Sequence, residues 1–126
     1  KVSELSSFMT IQLTPREPSY LSSISPSSLW TGTSWNDAIA CEQQLLHRYV
    51  SSPFQLGLVP VELPSLNIGT QHINVLDVNS DAAGVPILWL HGAGAGLGLG
   101  YRNYDALASL GGVRRRVIGI DWLGQA

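Results

Sequence analysis

The residues best suited to chemistry lie in a glycine-rich stretch in the second half of the chain. A short apolar run ends at His91-Gly92, and every second residue is then glycine as far as Gly100. Glycine allows sharp turns and a close approach of the backbone to a bound group. Backbone N–H groups held in such a turn can stabilise the negative oxygen that develops when a carbonyl is attacked. The stretch therefore predicts an oxyanion hole in which the residue after His91-Gly92 is a donor.

Two other interpretations of the glycine-rich stretch stay open. A dinucleotide-binding loop requires G-x-G-x-x-G, and after Gly94 and Gly96 the third glycine is replaced by Leu99. Asp121, at the end of the next predicted strand, would nevertheless suit a ribose, so a nucleotide-binding βαβ unit is kept as an alternative. The other interpretation is a tight strand-to-helix turn without chemistry. A Walker loop is excluded, because no Gly-Lys-Ser/Thr follows.

The elements on either side of the stretch are predicted from hydrophobic periodicity. Residues 87–90 are apolar without alternation, which is typical of a strand buried on both faces in a parallel sheet. Apolar residues at helical spacing predict a helix over residues 101–110, ended by Gly111-Gly112. Residues 116–121 predict the next strand. Strand, helix and strand with one short crossover indicate a parallel β-α-β unit.

A longer helix is predicted ahead of this unit. Ser34 is a good N-cap residue, and Asp37 three positions later favours the positive end of a helix. Apolar residues then recur at helical spacing, and Pro53 is expected to stop the helix. Polar residues between them, Glu42 included, are expected to face water.

An antiparallel pair of strands is predicted between the helix and the β-α-β unit. Residues 56–63 and 72–78 are two apolar segments that flank a turn at residues 67–70. Pro60 lies within the first segment and confines that strand to an edge or splits it, because proline has no N–H to donate.

The composition describes one small globular domain preceded by an arm. Of 126 residues, 44% are apolar and 13% are charged, which is typical of a folded chain. Residues 1–33 are rich in Ser, Thr and Pro and predict a flexible arm, whereas residues 34–126 are expected to fold. The net charge of −2 argues against a nucleic-acid partner. The cluster Arg114-Arg115-Arg116 is interpreted as a solvated turn.

No membrane span, disulfide, metal site or cofactor is predicted. Residues 84–101 carry no formal charge and are long enough to cross a bilayer, but Pro86 and the glycines make them a poor helix. The single Cys41 excludes an internal disulfide and favours the interior of a cell.

Three separated pieces of the chain resemble motifs of one α/β-hydrolase subfamily. Residues 86–99 resemble its "P-[apolar]4-H-G-x-G-x-G-x-G" stretch, residues 40–46 its "A-E-x-x-L-L" helix, and residues 117–124 its "V-x-x-x-D-x-L-G" strand end. The order and spacing of all three agree. The subfamily includes the lipid-droplet lipase coactivator, N-acyl phospholipid hydrolases, and fungal cardiolipin deacylase and lysophosphatidate acyltransferases.

The resemblance implies a fold and roles for individual residues. Residues 34–126 would be the N-terminal part of an α/β-hydrolase domain, with an incomplete sheet in strand order 1-2-4-3. Ala93 and Gly94 match the oxyanion-hole positions, and His91 and Gly92 match residues that order the loop, with Gly92 expected at a positive φ. Asp121 matches a structural acid. The subfamily's nucleophile elbow G-x-S-x-G is absent, so no catalytic residue is expected in this chain.

The resemblance also implies a function for the parent protein. This would be a serine esterase, lipase or acyltransferase that acts on phospholipid or lysophospholipid acyl esters. This chain would contribute the oxyanion-hole loop and would show no esterase activity alone. A catalytically inactive, coactivator-like binding protein of the same fold is the alternative. The expected partner is a lipid, with peripheral association to a membrane or lipid droplet and with cytoplasm, lipid droplet or mitochondrion as the compartment.

Overall fold

The computed structural model describes residues 13–15 and 34–124, and within them a mixed five-stranded sheet carries two helices. The strands are β1 Thr14–Pro15, β2 Phe54–Glu62, β3 Thr70–Val78, β4 Ile87–Leu90 and β5 Val117–Ile120, and the helices are α1 Trp35–Tyr49 and α2 Tyr104–Ala108. The sheet order is β1-β2-β3-β5-β4, and β4–β5 is its parallel pairing. Most of the predicted arm, residues 1–33, lies outside the described residues.

Helix α1 begins where its capping residues predict. The Ser34 hydroxyl accepts a hydrogen bond from the N–H of Asp37 over 3.1 Å, which satisfies one of the free donors of the first turn. The helix ends before Pro53, as expected, and the N–H of Val50 closes its last turn on the carbonyl of Leu46. Ile39 and Leu46 are its buried residues.

Strands β2 and β3 form the predicted antiparallel pair. They pair along their whole length, from Phe54 opposite Val78 to Glu62 opposite Thr70. The turn between them uses left-handed backbone at Asn67 and Gly69. Strand β2 continues through Pro60 without a break. Strand β1 pairs with Gly57 and Leu58, and within the described ranges Pro60 lies on a part of β2 whose outer side is an edge.

The β-α-β unit is confirmed, with a shorter helix than expected. Helix α2 has five residues and lies between two single-turn 3₁₀ helices, Leu97–Gly100 and Leu110–Gly112. The Ser109 hydroxyl donates to the carbonyl of Asp105 over 2.8 Å. Such local bonding by serine competes with continued helix, and it coincides with the end of α2.

The order of the four longer strands agrees with the order 1-2-4-3. Strand β5 lies between β3, which it meets antiparallel, and β4, which it meets parallel. An antiparallel pair followed by a parallel β-α-β unit makes an incomplete α/β sheet, and this fold class is confirmed. No helix within the described residues is long and apolar enough to cross a membrane.

The core lies between one face of the sheet and the helices. Its buried members come from both helices, the C-cap residue of α1, the Leu97 turn and three strand positions: Leu46, Val50, Leu76, Val78, Leu97, Tyr104, Ala108 and Val117. Ile87 and Trp89 of β4 pack against this core from the same face. Leu88 and Leu90 point to the other face and are 58% and 43% exposed. The apolar run is typical of a strand buried on both faces, whereas the second face of β4 is not covered by the residues that the structure describes.

Candidate functional site

The glycine-rich loop, residues 91–100, starts directly after β4 and opens with a tight turn. The N–H of Ala95 donates to the carbonyl of Gly92 over 3.2 Å, which closes a four-residue turn. Gly94 has a φ of 71°. Ala93 is not among the residues with positive φ, so this is a type II turn, which requires positive φ at its third position alone. The expectation of positive φ at Gly92 is wrong, because the turn places that conformation two residues later.

Two backbone donors of this turn are available to a ligand. Ala93 and Gly94 are both exposed. Within residues 13–15 and 34–124, no acceptor is bound by either of their N–H groups. Unpaired donors in adjacent positions of a rigid turn can serve a developing negative oxygen. The geometry is compatible with the oxyanion-hole positions expected at Ala93 and Gly94, which stay a prediction.

His91 lies buried beneath the turn and is held by hydrogen bonds rather than exposed as a base. Its Nδ1 lies 2.8 Å from the carbonyl oxygen of Gly92, and its Nε2 accepts the backbone N–H of Trp122 over 3.3 Å. The Trp122 indole N–H in turn donates to the His91 carbonyl over 3.0 Å. These contacts fix the orientation of the imidazole ring between the turn and the end of β5. They are compatible with the loop-ordering role expected of His91 and Gly92.

Asp121, the first residue after β5, is buried and connects three segments. Its Oδ1 accepts the backbone N–H of Leu97 over 2.6 Å and lies 3.3 Å from His91 Nε2. Its Oδ2 accepts a side-chain N–H of Asn74 over 2.9 Å, and its own N–H donates to the Asn74 carbonyl over 3.0 Å. At 3% exposure, this carboxylate is not presented to a ribose, and the nucleotide-binding alternative loses the observation that favoured it.

Tyr104 of α2 holds the last turn of the loop, Leu97–Gly100. Its hydroxyl donates to the carbonyl of Leu97 over 2.8 Å, opposite the bond that the Leu97 N–H makes to Asp121. A side chain at Gly119 would come within 2.5 Å of this hydroxyl, so the glycine in β5 makes room for the tyrosine. Burial raises the pKa of Tyr104, and the negative charges of Asp121 and Glu42 raise it further. The phenol therefore stays a proton donor.

Glu42 and Asn74 form a hydrogen-bonded cluster with Asp121, and no motif in the sequence indicated this. Glu42 was expected to face water, but its Oε2 accepts a side-chain N–H of Asn74 over 3.0 Å. The expectation failed because α1 packs against the turn at Gly98. A Cβ added at Gly98 would lie only 3.0 Å from Glu42 Oε1. A usable signal was Asn74 itself, a lone polar residue between apolar strand neighbours.

A cleft separates α1 from the glycine-rich loop. It has a volume of about 350 Å³ and is lined by Cys41, Glu42, Leu45, Gly96, Gly98 and Leu99. The lining is apolar apart from the Glu42 carboxylate, which also accepts the hydrogen bond from Asn74.

The arginines of the cluster before β5 form hydrogen bonds with other residues of the chain. Arg114 forms a bidentate pair with the exposed Asp81, which agrees with a solvated turn. Arg116 forms a bidentate pair with the buried Asp77. Arg115 donates to a backbone carbonyl. Two of the three guanidinium groups are thus neutralised by carboxylates and do not form a phosphate patch.

Sequence comparison relates the chain to two acyltransferases. It is 36% identical over 109 residues to a probable 1-acylglycerol-3-phosphate O-acyltransferase of Oryza sativa subsp. japonica. It is 35% identical over 109 residues to 1-acylglycerol-3-phosphate O-acyltransferase of Arabidopsis thaliana. Each alignment covers 79% of this chain and 25% of the relative, so the chain spans about a quarter of the length of either relative. No family model and no solved structure matches the chain significantly.

Proposed function

We propose that this chain forms the oxyanion-hole part of a lipid acyltransferase of the α/β-hydrolase type, acting on lysophospholipid or phospholipid acyl esters. The observation that carries the proposal is the pair of N–H groups at Ala93 and Gly94, which lie in an exposed type II turn and bind no acceptor among the described residues. The similarity to two proteins named as acyltransferases of 1-acylglycerol 3-phosphate supports acyl transfer as the reaction.

The chemistry follows from where the charge develops. A hydroxyl nucleophile that attacks an acyl carbonyl forms a bond to the carbon and moves the π electrons onto oxygen, while its proton passes to a base. Donors at 2.7–3.1 Å from that oxygen stabilise the tetrahedral state. Ala93 and Gly94 would supply these donors. The nucleophile, the acid and the base would come from residues outside this chain, because the sequence holds no G-x-S-x-G.

A lipid substrate fits the surface around the loop. Leu99, in the last turn of the loop, and Trp122, after β5, are 64% and 48% exposed, and Leu123 beside Trp122 is exposed as well. Apolar side chains next to an active site can contact acyl chains or the surface of a membrane or lipid droplet. We include this peripheral association in the proposal.

A chimera tests the function. The segment of the Arabidopsis relative that aligns with this chain is replaced by the chain, and acyl transfer to 1-acylglycerol 3-phosphate is measured. An active chimera is then compared with its Ala93→Pro variant. Proline removes the N–H but is favoured at the second position of a type II turn, so the turn is kept. We expect kcat to fall by about 10²–10³, the usual effect of losing one oxyanion donor.

The matched control is Ala93→Ser, which changes the side chain and keeps the N–H; its kcat should stay near that of the unchanged chimera. Equal activity of the proline and serine variants would refute the oxyanion role of Ala93. A folded chimera without transfer activity would instead favour the inactive binding-protein alternative.

A further inference from the structure

A single amide nitrogen joins helix α1 to the carboxylate that holds the glycine-rich loop. Asn74 Nδ2 donates to Glu42 Oε2 over 3.0 Å and to Asp121 Oδ2 over 2.9 Å. This nitrogen carries two hydrogens, so each carboxylate receives one. Asn74 is 1% exposed, so the bond to Asp121 is buried and the bond to Glu42 is partly buried.

The two carboxylates also determine the orientation of the amide. Asn74 Oδ1 is buried and has no hydrogen-bond partner in the described part of the chain, which costs free energy. The reversed amide would place this oxygen against Glu42 Oε2 and Asp121 Oδ2, where three acceptors would repel one another. The observed orientation is therefore the favourable one, and it depends on both acidic residues.

Glu42 contacts the loop region directly as well as through the amide. A Cβ at Gly98 would lie 3.0 Å from Glu42 Oε1 and 3.1 Å from its Cγ, so the side chain packs against the turn Leu97–Gly100. The N–H of Leu97, at the start of this turn, is the group bound by Asp121 Oδ1. Glu42 thus reaches the same turn from α1 that Asp121 reaches from β5.

We propose that Glu42 and Asn74 are positioning residues, which hold the Asp121 carboxylate in the orientation that shapes the glycine-rich loop. Asn74 fixes Asp121 at two points, because its carbonyl also accepts the Asp121 N–H. Glu42 fixes Asn74 in turn. Movement of α1 is thereby coupled to the loop that carries Ala93 and Gly94. The value of this coupling for catalysis rests on the proposed function, whereas the coupling itself does not.

Amide hydrogen exchange on the full 126-residue chain tests the coupling. The variant Glu42→Ala removes the acceptor from α1 and is compared with Gln44→Ala, a truncation at an exposed position of the same helix. We expect exchange at the Leu97 amide to speed up by about tenfold or more in Glu42→Ala, the effect of losing a hydrogen bond to a charged group. Amides of the β2–β3 pairing should change much less, and Gln44→Ala should change neither.

Two outcomes would overturn the proposal. One is unchanged exchange at Leu97 in Glu42→Ala. The other is acceleration by the same factor at all amides, since that pattern reports lower global stability rather than a local role. If Glu42→Ala folds poorly, Glu42→Met is measured instead, which keeps a long side chain against Gly98 but removes the acceptor; unchanged exchange at Leu97 in this variant would likewise overturn the proposal, whereas Glu42→Gln, which keeps an acceptor oxygen, should retain more of the Leu97 protection than Glu42→Met. None of these readouts requires activity, so their failure is distinguishable from failure of the Ala93→Pro test.

Discussion

The backbone N–H of Leu97 donates to Asp121 Oδ1 over 2.6 Å, across 24 positions of sequence. The same oxygen lies 3.3 Å from Nε2 of His91. One buried carboxylate oxygen therefore lies next to both ends of the segment that contains Ala93 and Gly94. The turn between those ends can stay exposed and still be held in one conformation.

The first prediction concerns the charge of this carboxylate. We expect Asp121→Asn to lower the free energy of unfolding by about 2–4 kcal/mol, because one of its two acceptors becomes an NH₂ group facing the donors of Leu97 or Asn74. The control is Asp81→Asn, where an exposed pair with Arg114 is lost and little change is expected. Urea denaturation measures both. Similar midpoints for the two variants would contradict the central role of Asp121.

The second prediction separates two glycines of the turn. Gly94→Ala should lower the free energy of unfolding by about 1–2 kcal/mol, because its φ of 71° is unfavourable for a residue with a Cβ. Gly92→Ala should have almost no effect, since its φ is not positive and nothing lies within 4 Å of an added Cβ. Thermal unfolding of both variants provides the test. A larger loss at Gly92 than at Gly94 would mean that the turn is misassigned.

The third prediction concerns stability at alkaline pH. Because the pKa of Tyr104 is raised by burial and by neighbouring charges, the folded chain keeps a proton that the unfolded chain releases near pH 10. The contribution of Tyr104 to stability is therefore complete below about pH 10 and is lost as the pH rises above it, with a limiting slope of about 1.4 kcal/mol per pH unit.

Tyr104→Phe removes this dependence. We expect the variant to be less stable at neutral pH by about 1–2 kcal/mol, since the Leu97 carbonyl loses its donor, but to decline less steeply above pH 10. Tyr49→Phe, at a half-exposed position of α1, serves as the control and should follow the unchanged chain. Parallel alkaline curves for all three proteins would argue against the buried, protonated phenol.

The fourth prediction concerns self-association. Leu88 and Leu90 are exposed on β4, which lies at the end of the sheet, and an apolar edge strand is a template for pairing with another chain. We expect the chain to associate and to bind a hydrophobic dye at micromolar concentration. Leu88→Lys should reduce association in size-exclusion chromatography and should reduce dye binding. The control Leu66→Lys, at a similarly exposed site between β2 and β3, should change neither. A monomeric, dye-free unchanged chain would be evidence against an open edge.

Local signals in the sequence were sufficient for most of the elements. Ser34 caps α1, Pro53 follows its end, and the apolar run of residues 87–90 coincides with β4. These signals depend on neighbours within a few positions, where intrinsic preferences of the backbone dominate. The glycine-rich loop was identified for the same reason, because its composition alone indicates a tight turn near a strand end.

The contacts that hold the loop could not be predicted in the same way. Glu42 and Asn74 are 32 positions apart, and Asn74 and Asp121 are 47 apart. Helical periodicity placed Glu42 on the polar side of α1, and only the packing of that helix against Gly98 turns its carboxylate inward. The exposure of one face of β4 does not follow from the apolar run itself, because such a run indicates burial without specifying which layer provides it.

The order of the sheet has a consequence for folding kinetics. Strand β5 lies between β3 and β4, so the two earlier strands are not joined until residues 117–120 insert between them. Contacts across such long separations form slowly, because the intervening chain must first lose conformational entropy. During synthesis, the glycine-rich loop would therefore leave the ribosome before Asp121, the residue that binds it. Sheet and loop are expected to form together, in one late and rate-limiting step.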